Sequence, residues 1–586
     1  MKRCPQCRRI EVDDALAFCR ADGSPLARES GAVGEVAGTL RLGPTAAAGD
    51  TETRILPQET SAAGEFPSGA TASTTVPAGR RASGSTQDLS KPKTRRVTII
   101  AGAALLAVTL AAYGYYRLAP HGGTMVSSVA VLPFQNASGD PNAEYLSDGL
   151  AESLINSLSQ LQQLKVIARP SAFRYKGKDL DLAQVARELN VQAVINGRVV
   201  QRGDVLSISV ELIDARNNAQ LWGKQFTRKS SDIFALQEDI TRQVTDSLRV
   251  RLMGEQRERL TKRYTDNEEA YKLYLQGRYF WNRRSVEDFK TAIPFFQKAI
   301  ELDSDFALAY SGLSDSYNLL GQYQGGAPPK EVMPLAKGAA LKALSLDEHL
   351  AEAHGSLGQY LIEYEYDWAG AEREFKRAIE LNPNYASAYQ WHAEQLMWEG
   401  RFEEAQKQAR RAVELDPLSR IINSELARVA LFARRYDEAI MIFKKNIELS
   451  PNWHGDYNYL WYAYAAKGMY AEAVDAYIKL MTFAKLAPPS EIQATQESFA
   501  TSGWQGFLRH RVRYLEESSR REYVSPTEPA ELYAYLGEKD QAFASLEKAY
   551  EIRVGDLKEL KHKSSFDNLR DDPRFSNILR RVGLAQ

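Results

Sequence analysis

The first residues of the chain contain a set of side chains suited to metal binding. Cys4 and Cys7 form a C-x2-C pair, and after eleven further residues Cys19 and Asp22 form a C-x2-D pair. Two short turns with this spacing bring together three thiolates and one carboxylate, and zinc prefers four tetrahedral ligands of these types. The chain has only three cysteines, so disulfides are excluded after Cys19. The pattern predicts a structural zinc (Zn) site with Cys4, Cys7 and Cys19 as ligands and Asp22 as the candidate fourth.

Residues 1–26 resemble a small zinc ribbon of the type CPxC…FCxxDG, through Cys4-Pro5-Gln6-Cys7 and Phe18-Cys19-Arg20-Ala21-Asp22-Gly23. In that family the second knuckle often ends in cysteine, so Asp22 is a departure. A carboxylate is a harder ligand than a thiolate and should weaken the site. The alternative is a decayed ribbon that no longer binds metal. We expect zinc because a module of ~25 residues has little else to fold around.

The length and charge of the whole chain limit the classes of function. Its 586 residues far exceed the ~100 to 200 residues of one ordinary domain, so several domains or a repeat array are expected. Lys plus Arg (74) nearly equals Asp plus Glu (75). This balance gives no overall electrostatic attraction to nucleic acid, and we therefore exclude a basic nucleic-acid-binding protein.

Two segments of unusual composition follow the cysteines. Residues 27–96 are rich in Gly, Ala, Ser, Thr and Pro, with Phe66 as the only aromatic, which predicts a disordered linker. Residues 97–116 carry no charge, and about 20 apolar residues at a rise of 1.5 Å match a hydrocarbon core of about 30 Å. This segment is predicted to be a transmembrane helix. The alternative is a buried helix of a soluble domain.

The charges around this segment predict its orientation. Lys91, Lys93, Arg95 and Arg96 precede the segment, and only Arg117 follows it closely. By the positive-inside rule the N-terminus then stays in the cytoplasm. The predicted location is the bacterial inner (cytoplasmic) membrane, with a single span and with the C-terminal domains periplasmic or extracellular.

Residues 127–253 show the pattern of a mixed α/β domain. Ser128 to Phe134 is predicted to be a buried strand, and apolar residues at helical spacing follow between Leu146 and Leu161. Further strands are predicted at 164–168, 192–200, 205–213 and 220–227, with helices at 180–189 and 232–252. The order is βαβαβββα, which indicates a mixed α/β fold.

Several short phrases in this domain resemble the TolB amino-terminal-like domain. They are Val129 to Asn136 (VAVLPFQN), Leu146 to Leu150 (LSDGL), Asn196-Gly-Arg198 and Leu221-Trp222. The resemblance implies an exported module for assembly and protein contact, often joined to tetratricopeptide repeats. Asp148, Asn196, Arg198 and Trp222 are candidates for a site there, although capping and core packing also explain polar residues beside turns.

A 34-residue period dominates the second half of the chain. Alanines recur at Ala371, Ala405, Ala439 and Ala473, and prolines in phase with them at Pro383, Pro417 and Pro451. Such helix-turn-helix units identify tetratricopeptide repeats. We expect an all-α tetratricopeptide superhelix of six repeats over residues 267–485, an irregular helical connector over 486–528, and a degenerate repeat with a C-terminal cap over 529–586.

Stacked repeats form a groove lined by the first helix of each pair. Aromatic and arginine side chains are common binding hot spots, so the groove predicts protein or peptide partners. The alternative is that some of these side chains only pack against neighbouring helices. The repeat phase places the following candidate partner-binding residues on this face: Arg278, Trp281, Gln390, Glu394, Trp398, Arg428, Asn458 and Tyr462.

The sequence favours a non-enzymatic role. The patterns G-x-x-x-x-G-K-[ST], H-E-x-x-H and G-x-S-x-G do not occur, and the seven histidines are scattered. The first hypothesis is a membrane-anchored scaffold that binds protein partners through the repeats and the TolB-like domain. The alternative is a transmembrane signalling regulator that couples exported ligand binding to cytoplasmic partners. An enzyme acting through the middle domain is the third hypothesis.

The zinc prediction is tested by metal analysis of a peptide covering residues 1–30. We expect one zinc ion per peptide and a folded structure that is lost when a chelator removes the metal, because metal binding supplies the folding free energy of such modules. A metal-free, unfolded peptide would contradict the prediction.

Overall fold

The computed structural model describes residues 126–140, 143–178, 181–248, 262–322, 326–521 and 523–584, and three short strands near the N-terminus. The chain divides into two compact units, residues 1–101 and 102–586. In the first unit, β1 (Lys2–Arg3) pairs antiparallel with both β2 (Ile10–Glu11) and β3 (Ala27–Arg28). The four candidate zinc ligands and the predicted linker lie outside the described residues, and the zinc site therefore stays a prediction.

The predicted fold class and membrane location need a correction. Within the described residues, no helix is both long enough and apolar enough to cross a bilayer. The physical reason is that these helices are amphipathic: the longest, residues 489–518, includes Glu491, Glu497 and Arg509. The predicted transmembrane segment, residues 97–116, lies outside the described residues. The corrected fold class is a mostly helical, tetratricopeptide-like fold with a mixed-sheet domain.

The second unit begins with a mixed sheet. Its strands are β4 (Ser128–Val131), β5 (Gln135–Asn136), β6 (Lys165–Val166), β7 (Ala193–Arg202), β8 (Val205–Asp214) and β9 (Ala219–Lys229). The order is β6-β4-β7-β8-β9, parallel at β6-β4-β7 and antiparallel from β7 to β9, with β5 beside β7. Gly203 has a φ of 56° in the tight turn between β7 and β8.

Four helices cover this sheet: α1 (Glu144–Ser159), α2 (Arg169–Ala172), α3 (Leu182–Leu189) and α4 (Ile233–Ser247). The central strand β4 is buried at all four residues, as expected for a strand covered on both faces. Apolar residues of α1 and α4 pack on one face of the sheet, and those of α3 pack on the other. The order of the longer strands and helices is the one that the sequence pattern predicts; the two-residue strand β5 and the short helix α2 are additional.

The repeat part contains six consecutive helix pairs. They are α5 (Glu268–Trp281) with α6 (Val286–Leu302), α7 (Ala307–Gln322) with α8 (Pro329–Leu346), α9 (Ala351–Tyr360) with α10 (Trp368–Leu381), α11 (Ala386–Glu399) with α12 (Phe402–Leu415), α13 (Arg420–Phe432) with α14 (Tyr436–Leu449), and α15 (His454–Ala466) with α16 (Tyr470–Phe483). A π-helical turn, Leu361–Glu365, extends α9. The alanines that repeat every 34 residues are fully buried, because their small size permits close contact between helices.

The chain continues beyond the sixth pair. Helix α17 (Pro489–Ser518) is broken at Gly503, whose φ is 59°, and α18 (Thr527–Leu536) pairs with α19 (Lys539–Glu551). Two 3-10 turns, Gly555–Glu559 and Ser564–Leu569, lead to α20 (Pro573–Arg581).

The α/β domain is fixed to the repeats through the turns that end α10 and α12. Asn384 donates hydrogen bonds to the carbonyls of Ser159 and Leu164, each 2.9 Å long, and its Oδ1 accepts from the amide of Val166. Each of these groups is buried, and a buried polar group that lacks a partner costs ~1 to 3 kcal/mol. The two parts are therefore held in one arrangement.

Asp416 provides the second attachment. Its Oδ1 accepts from the amide of Ser171 at 2.9 Å and from the Ser171 hydroxyl at 2.5 Å. Burial raises the pKa of Asp416 to about 7, and the hydrogen bonds from Ser171 only partly offset that shift. The folded state therefore binds a proton at a pH where the unfolded state has released it.

Replacing Asp416 with asparagine tests this attachment, because the amide keeps an acceptor oxygen but has no titrating proton. For the wild type, stability should fall as pH rises from 5 to 7, since the raised pKa makes the folded state bind more protons than the unfolded state. The free energy of unfolding of D416N minus that of the wild type should therefore be about 2 kcal/mol larger at pH 8 than at pH 5, which means that the variant gains relative stability as the pH rises. Urea unfolding measures this difference.

Asp475 is exposed, so D475N is the control. Its free energy of unfolding relative to the wild type should not increase between pH 5 and pH 8. A D416N difference that stays constant between pH 5 and pH 8 would show that Asp416 is ionised throughout this range.

Candidate partner-binding groove

The groove is lined by the first helix of each repeat. Its middle and C-terminal parts consist of α9 with its π-helical turn, α11, α13, α15 and α18. Helices α11, α13 and α15 begin 34 residues apart, and α9 begins 35 residues before α11, so their inward-facing residues form one surface. Helix α18 begins 73 residues after α15, outside this period. Several of the inward residues are buried carboxylates, namely Glu363, Glu394, Glu425 and Glu531.

The chain's own C-terminal segment, defined here as residues 554–584, contacts this surface. The Tyr366 hydroxyl donates to the carbonyl of Val554 at 3.1 Å, and the Trp368 indole donates to the carbonyl of Val582 at 2.8 Å. The two ends of the segment are thus attached near the start of α10, although they lie about 190 and 214 positions further along the chain. Residues that the sequence suggests as an end cap therefore also return to the third repeat.

Apolar side chains anchor the segment. Leu557, Leu560, Phe566 and Leu569 are buried and belong to the same hydrophobic cluster as Trp398 and Phe432 of the repeats. Burying a side chain of this size contributes ~1.5 to 3 kcal/mol. The segment is therefore held by apolar contact along its length, and its charged residues decide where it sits.

Lys558 is the first charged contact between segment and groove. Its ammonium group forms an ion pair with Glu363 and lies 3.4 Å from a carboxylate oxygen of Glu394. Arg428 approaches the same Glu394 at 3.2 Å and forms a second pair with Glu425 at 2.6 Å. Two cations thus alternate with three buried carboxylates across three consecutive first helices.

The carboxyl groups of this cluster differ in pKa. Burial outweighs the attraction of Lys558 and raises the pKa of Glu363 to about 7. Burial opposes ionisation of Glu394 too, but Lys558 and Arg428 together lower its pKa to about 2. Burial and the charge of Glu394 raise the pKa of Glu425 to about 8, despite Arg428. The cluster at pH 7 is therefore centred on an ionised Glu394.

Lys563 makes the second charged contact. Its ammonium group lies 2.6 Å from Glu531 and 2.9 Å from Glu559, and 4.2 Å from the centre of the Tyr462 ring. The lysine and both carboxylates are buried. A buried cation needs several such partners because it has lost its hydration. Tyr462, predicted as a binding residue, thus contacts a lysine of its own chain.

His562 lies between the two lysines and requires a glycine opposite it. Gly400 ends α11 with a φ of 89°, and a Cβ atom at this position would lie 3.1 Å from the His562 ring. The ring also meets Phe402 edge-on at 5.1 Å. Glycine at 400 thus permits both the left-handed turn and the close approach of the segment.

The first part of the groove contacts the α/β domain. Arg278 donates two hydrogen bonds to Glu152 of α1, at 3.0 and 2.8 Å, and Asn282 donates to the other oxygen of Glu152. Burial opposes ionisation of Glu152, but Arg278 and Arg169 outweigh it and lower the pKa of Glu152. Trp281 is buried, with the guanidinium groups of Arg278 and Arg284 over its ring.

Three further predicted groove residues, Gln390, Trp398 and Asn458, are uncharged and take no part in these ion pairs. Trp398 is fully buried and packs edge-on against Phe432 at 4.5 Å. Gln390 and Asn458 are half-buried. For these residues, and for the eight candidates as a set, partner binding stays a prediction.

The candidates in the α/β domain do not form one cluster. Asp148 is buried on α1, where both of its oxygens accept from Lys176 at 2.7 Å. Asn196 accepts from the neighbouring amide of Gly197, and Trp222 lies half-buried on β9. Among the described residues, no group of three or more His, Cys, Asp or Glu side chains is placed to hold a metal ion.

Sequence reasoning did not identify the residues that fill the groove. Lys558 and Lys563 lie outside the periodic part of the chain, and their partners Glu363 and Glu531 are 195 and 32 positions away. The available signal was weak: two lysines beside Leu557 and Leu560 in a segment that has no repeat phase.

Replacing Lys558 with methionine tests the charged contact. The change leaves two buried carboxylates without their shared cation, which typically costs about 3 to 5 kcal/mol. Lys561→Met is the matched control, because among the described residues the Lys561 ammonium group forms no ion pair and donates one hydrogen bond of 3.4 Å, to the carbonyl of Glu399. We expect urea unfolding at pH 8 to show the loss for K558M and a change below about 1 kcal/mol for K561M.

The loss in free energy of unfolding caused by K558M should be smaller at pH 5 than at pH 8. Glu363 has a pKa near 7, so it is protonated at pH 5 and no longer needs a cation. Equal destabilisation by K558M and K561M would show that the Lys558 ion pairs do not hold the segment.

Comparison with known proteins finds two similarities that each cover part of the chain. Residues 125–243 match the family model of the HilA/YgeH-like transcriptional regulator, second domain. A protein of Rhizobium meliloti (strain 1021), named "Putative adenylate cyclase 3", is 34% identical over 232 residues, which are 39% of this chain and 39% of that protein. The chain thus spans well under half of this curated relative. The resemblances to a TolB amino-terminal-like domain and to a zinc ribbon stay predictions.

Solved structures similar to part of the chain include two that are described as tetratricopeptide repeat (TPR) proteins, TTC0263 and YrrB. One is TTC0263 from Thermus thermophilus, with 18% identity, a TM-score of 0.27, and 31% of this chain and 92% of that chain covered. PilW, a type IV pilus biogenesis factor, has 20% identity, a TM-score of 0.31, and 37% and 94% coverage. YrrB, described as having an unusual peptide-binding site, has 26% identity, a TM-score of 0.22, and 33% and 92% coverage. At such low scores, the tetratricopeptide-like fold rests on the spacing and helix pairing within this chain.

Proposed function

We propose that this chain is a non-enzymatic protein-interaction scaffold whose groove binds a lysine-bearing polypeptide segment. One observation carries the proposal: the groove already holds such a segment, residues 554–584 of the same chain, through Lys558 and Lys563. A surface that recognises its own polypeptide in this way has the chemistry needed to recognise another.

The contacts define the kind of partner. It would present two ammonium groups about five positions apart, one for Glu363 and Glu394 and the other for Glu531, as Lys558 and Lys563 do. It would also present apolar side chains beside the first lysine, as Leu557 and Leu560 do. Charged pairs give specificity to such an interface, and apolar anchors give affinity.

The energetics of buried ion pairs support an exchange of segments. The desolvation cost of a buried ion pair nearly cancels its attraction, so the pair adds little net stability while a missing partner is costly. A partner that supplies the same cations can therefore replace the C-terminal segment without leaving Glu394 or Glu531 unpaired. The C-terminal segment would then act as an internal competitor of the partner.

A second candidate is the regulatory part of a signalling protein. The observation that favours it is the similarity of parts of this chain to a protein named as an adenylate cyclase and to a domain of transcriptional regulators. The α/β domain and the repeats, fixed to each other through Asn384 and Asp416, would transmit partner binding between them.

Affinity capture from a lysate of the cells that express this protein tests the scaffold proposal with three full-length chains. These are the wild type, K558E/K563E, and K558E/K563E with Glu394 and Glu531 changed to glutamine. Glutamates at 558 and 563 repel the groove carboxylates and should release the segment. We expect the second chain to recover several-fold more partner than the wild type, because its internal competitor has been weakened, and the third chain to lose that gain.

Carbodiimide coupling then locates the contact, because it joins carboxylates to amines that already form ion pairs. Peptides that link partner lysines to Glu363, Glu394 or Glu531 should be found for the second chain. Equal recovery of the same proteins by all three chains would contradict the groove proposal. Recovery of a nucleotide cyclase or a DNA-binding protein as the coupled partner would favour the signalling role.

Circular dichroism controls for folding of these variants. The charge-swapped chain K563E/E531K restores the ion pair with position 531 and should melt above K563E, although below the wild type because a glutamate at 563 repels Glu559. If K558E/K563E is unfolded at the capture temperature, the capture comparison is made at 10 °C with K563E, and the same ordering of recoveries is expected.

A further inference from the structure

A cavity of about 110 Å³ lies between the α/β domain and the first repeats. Helices α1 and α4 supply one wall, which includes Glu152 and Gln237, and α5 supplies another with Tyr271 and Tyr274. The fourth helix at the cavity is α9, which contributes Glu352. Because its walls come from both parts of the unit, a ligand here would contact the α/β domain and the repeats at once.

One side of the cavity is aromatic. Tyr271 packs against Phe234 with ring centres 4.9 Å apart and lies roughly parallel to Tyr274 at 6.2 Å. The Tyr271 hydroxyl accepts a hydrogen bond of 2.6 Å from Gln237. Both tyrosines are buried. The ring positions are therefore fixed, and fixed aromatic faces attract cations and apolar groups.

Each of the three cations at the cavity wall already has a carboxylate partner. Arg278 pairs with Glu152 at 2.8 Å. Lys262 pairs with Asp347 at 2.8 Å, and Arg263 with Glu238 at 3.5 Å. No free positive charge therefore remains at these three positions to attract an anionic ligand.

Glu352 differs from these residues. It is half-buried in the first turn of α9, and its carboxylate accepts a hydrogen bond from its own backbone amide. Among the described residues, no side chain donates a hydrogen bond to this carboxylate or forms an ion pair with it. Burial raises the pKa of Glu352, and the charges of Asp315 and Asp347 raise it further, while Arg278 acts in the opposite direction. A carboxylate in such surroundings gains more from a cation than an exposed one does.

We propose that this cavity binds a small organic amine, with the ammonium group on Glu352 and the apolar body against Tyr271 and Tyr274. This site is separate from the groove and does not depend on the scaffold proposal. A carboxylate and aromatic rings on the wall of one cavity suit a protonated amine, because an ion pair and a cation–π contact can act on the same charge.

The size of the cavity limits the ligand. At ~10 to 15 Å³ for each water-sized group, a volume of about 110 Å³ accepts a molecule of roughly seven to eleven non-hydrogen atoms. The route in is a neighbouring cleft of about 400 Å³, which shares Gln160, Lys262, Tyr264 and Glu352 with the cavity. Glu352 lies on both, so an amine meets its carboxylate on the way in.

Calorimetric titration of the full-length protein with benzylamine tests the proposal, and benzyl alcohol and benzoate are the matched probes. The three compounds have similar shape and differ in charge. We expect benzylamine to bind at least about ten-fold more tightly than benzyl alcohol, a difference of about 1.4 kcal/mol, because a charge-assisted contact is stronger than a neutral one. Benzoate should bind most weakly.

The variant E352Q should lose this preference. Its affinity for benzylamine should fall about ten-fold or more, while its weak affinity for benzyl alcohol stays within about two-fold. Glu348→Gln is the matched control, because it removes the same charge from a residue outside the cavity wall. E348Q should bind benzylamine as the wild type does. Since no described side chain pairs with the Glu352 carboxylate, E352Q should melt no lower than the wild type.

Three results would overturn the proposal: no benzylamine binding at millimolar concentration, equal affinity for benzylamine and benzyl alcohol, or unchanged benzylamine binding by E352Q. Preference for benzoate would also overturn it. The variant K558E/K563E should bind benzylamine normally, because its substitutions lie in the groove. Failure of the cavity proposal can thus be told apart from failure of the scaffold proposal.

Discussion

The repeat part of this protein depends on the neutralisation of carboxylates buried on its inner surface. Glu394 is held ionised between Lys558 and Arg428, and Glu531 is held against Lys563. A buried carboxylate without a cation is among the costliest defects in a folded protein. The C-terminal segment supplies both lysines, so the inner surface and the segment are stable only together, or with another polypeptide of similar charge in its place.

The same constraint operates where the repeats meet the α/β domain, with the roles reversed. There the α/β domain supplies the carboxylate, Glu152, and the repeats supply Arg278. Hydrogen bonds from Asn384 and to Asp416 fix the same two parts at a second place. The first half of the groove is thus paired with one module and the second half with the C-terminal segment. A partner of the proposed kind would therefore have to compete with contacts inside the chain.

Much of the fold could be predicted from the sequence because it depends on local periodicity. Alanines such as Ala405 and Ala439 recur at the spacing of a helix pair, and the alternating residues of β8 indicate a strand with one buried face. The contents of the groove could not be predicted in this way. Repeat phase places Glu394 and Arg428 on an inner face, but it does not reveal which distant segment contacts that face. Trp398 illustrates the limit, since it has the expected phase and is fully buried.

The two candidate sites differ in how their carboxylates are paired with cations. In the groove, carboxylates outnumber the cations of the first helices, and the chain itself provides the missing lysines. In the cavity, the lysine and the arginines are already paired, and among the described residues Glu352 has no side-chain partner. Asp416 is also buried without a cation, but Ser171 donates two hydrogen bonds to it, whereas no described side chain donates one to Glu352. An ionised Glu352 therefore costs folding free energy, and binding a cation from solution would offset this cost.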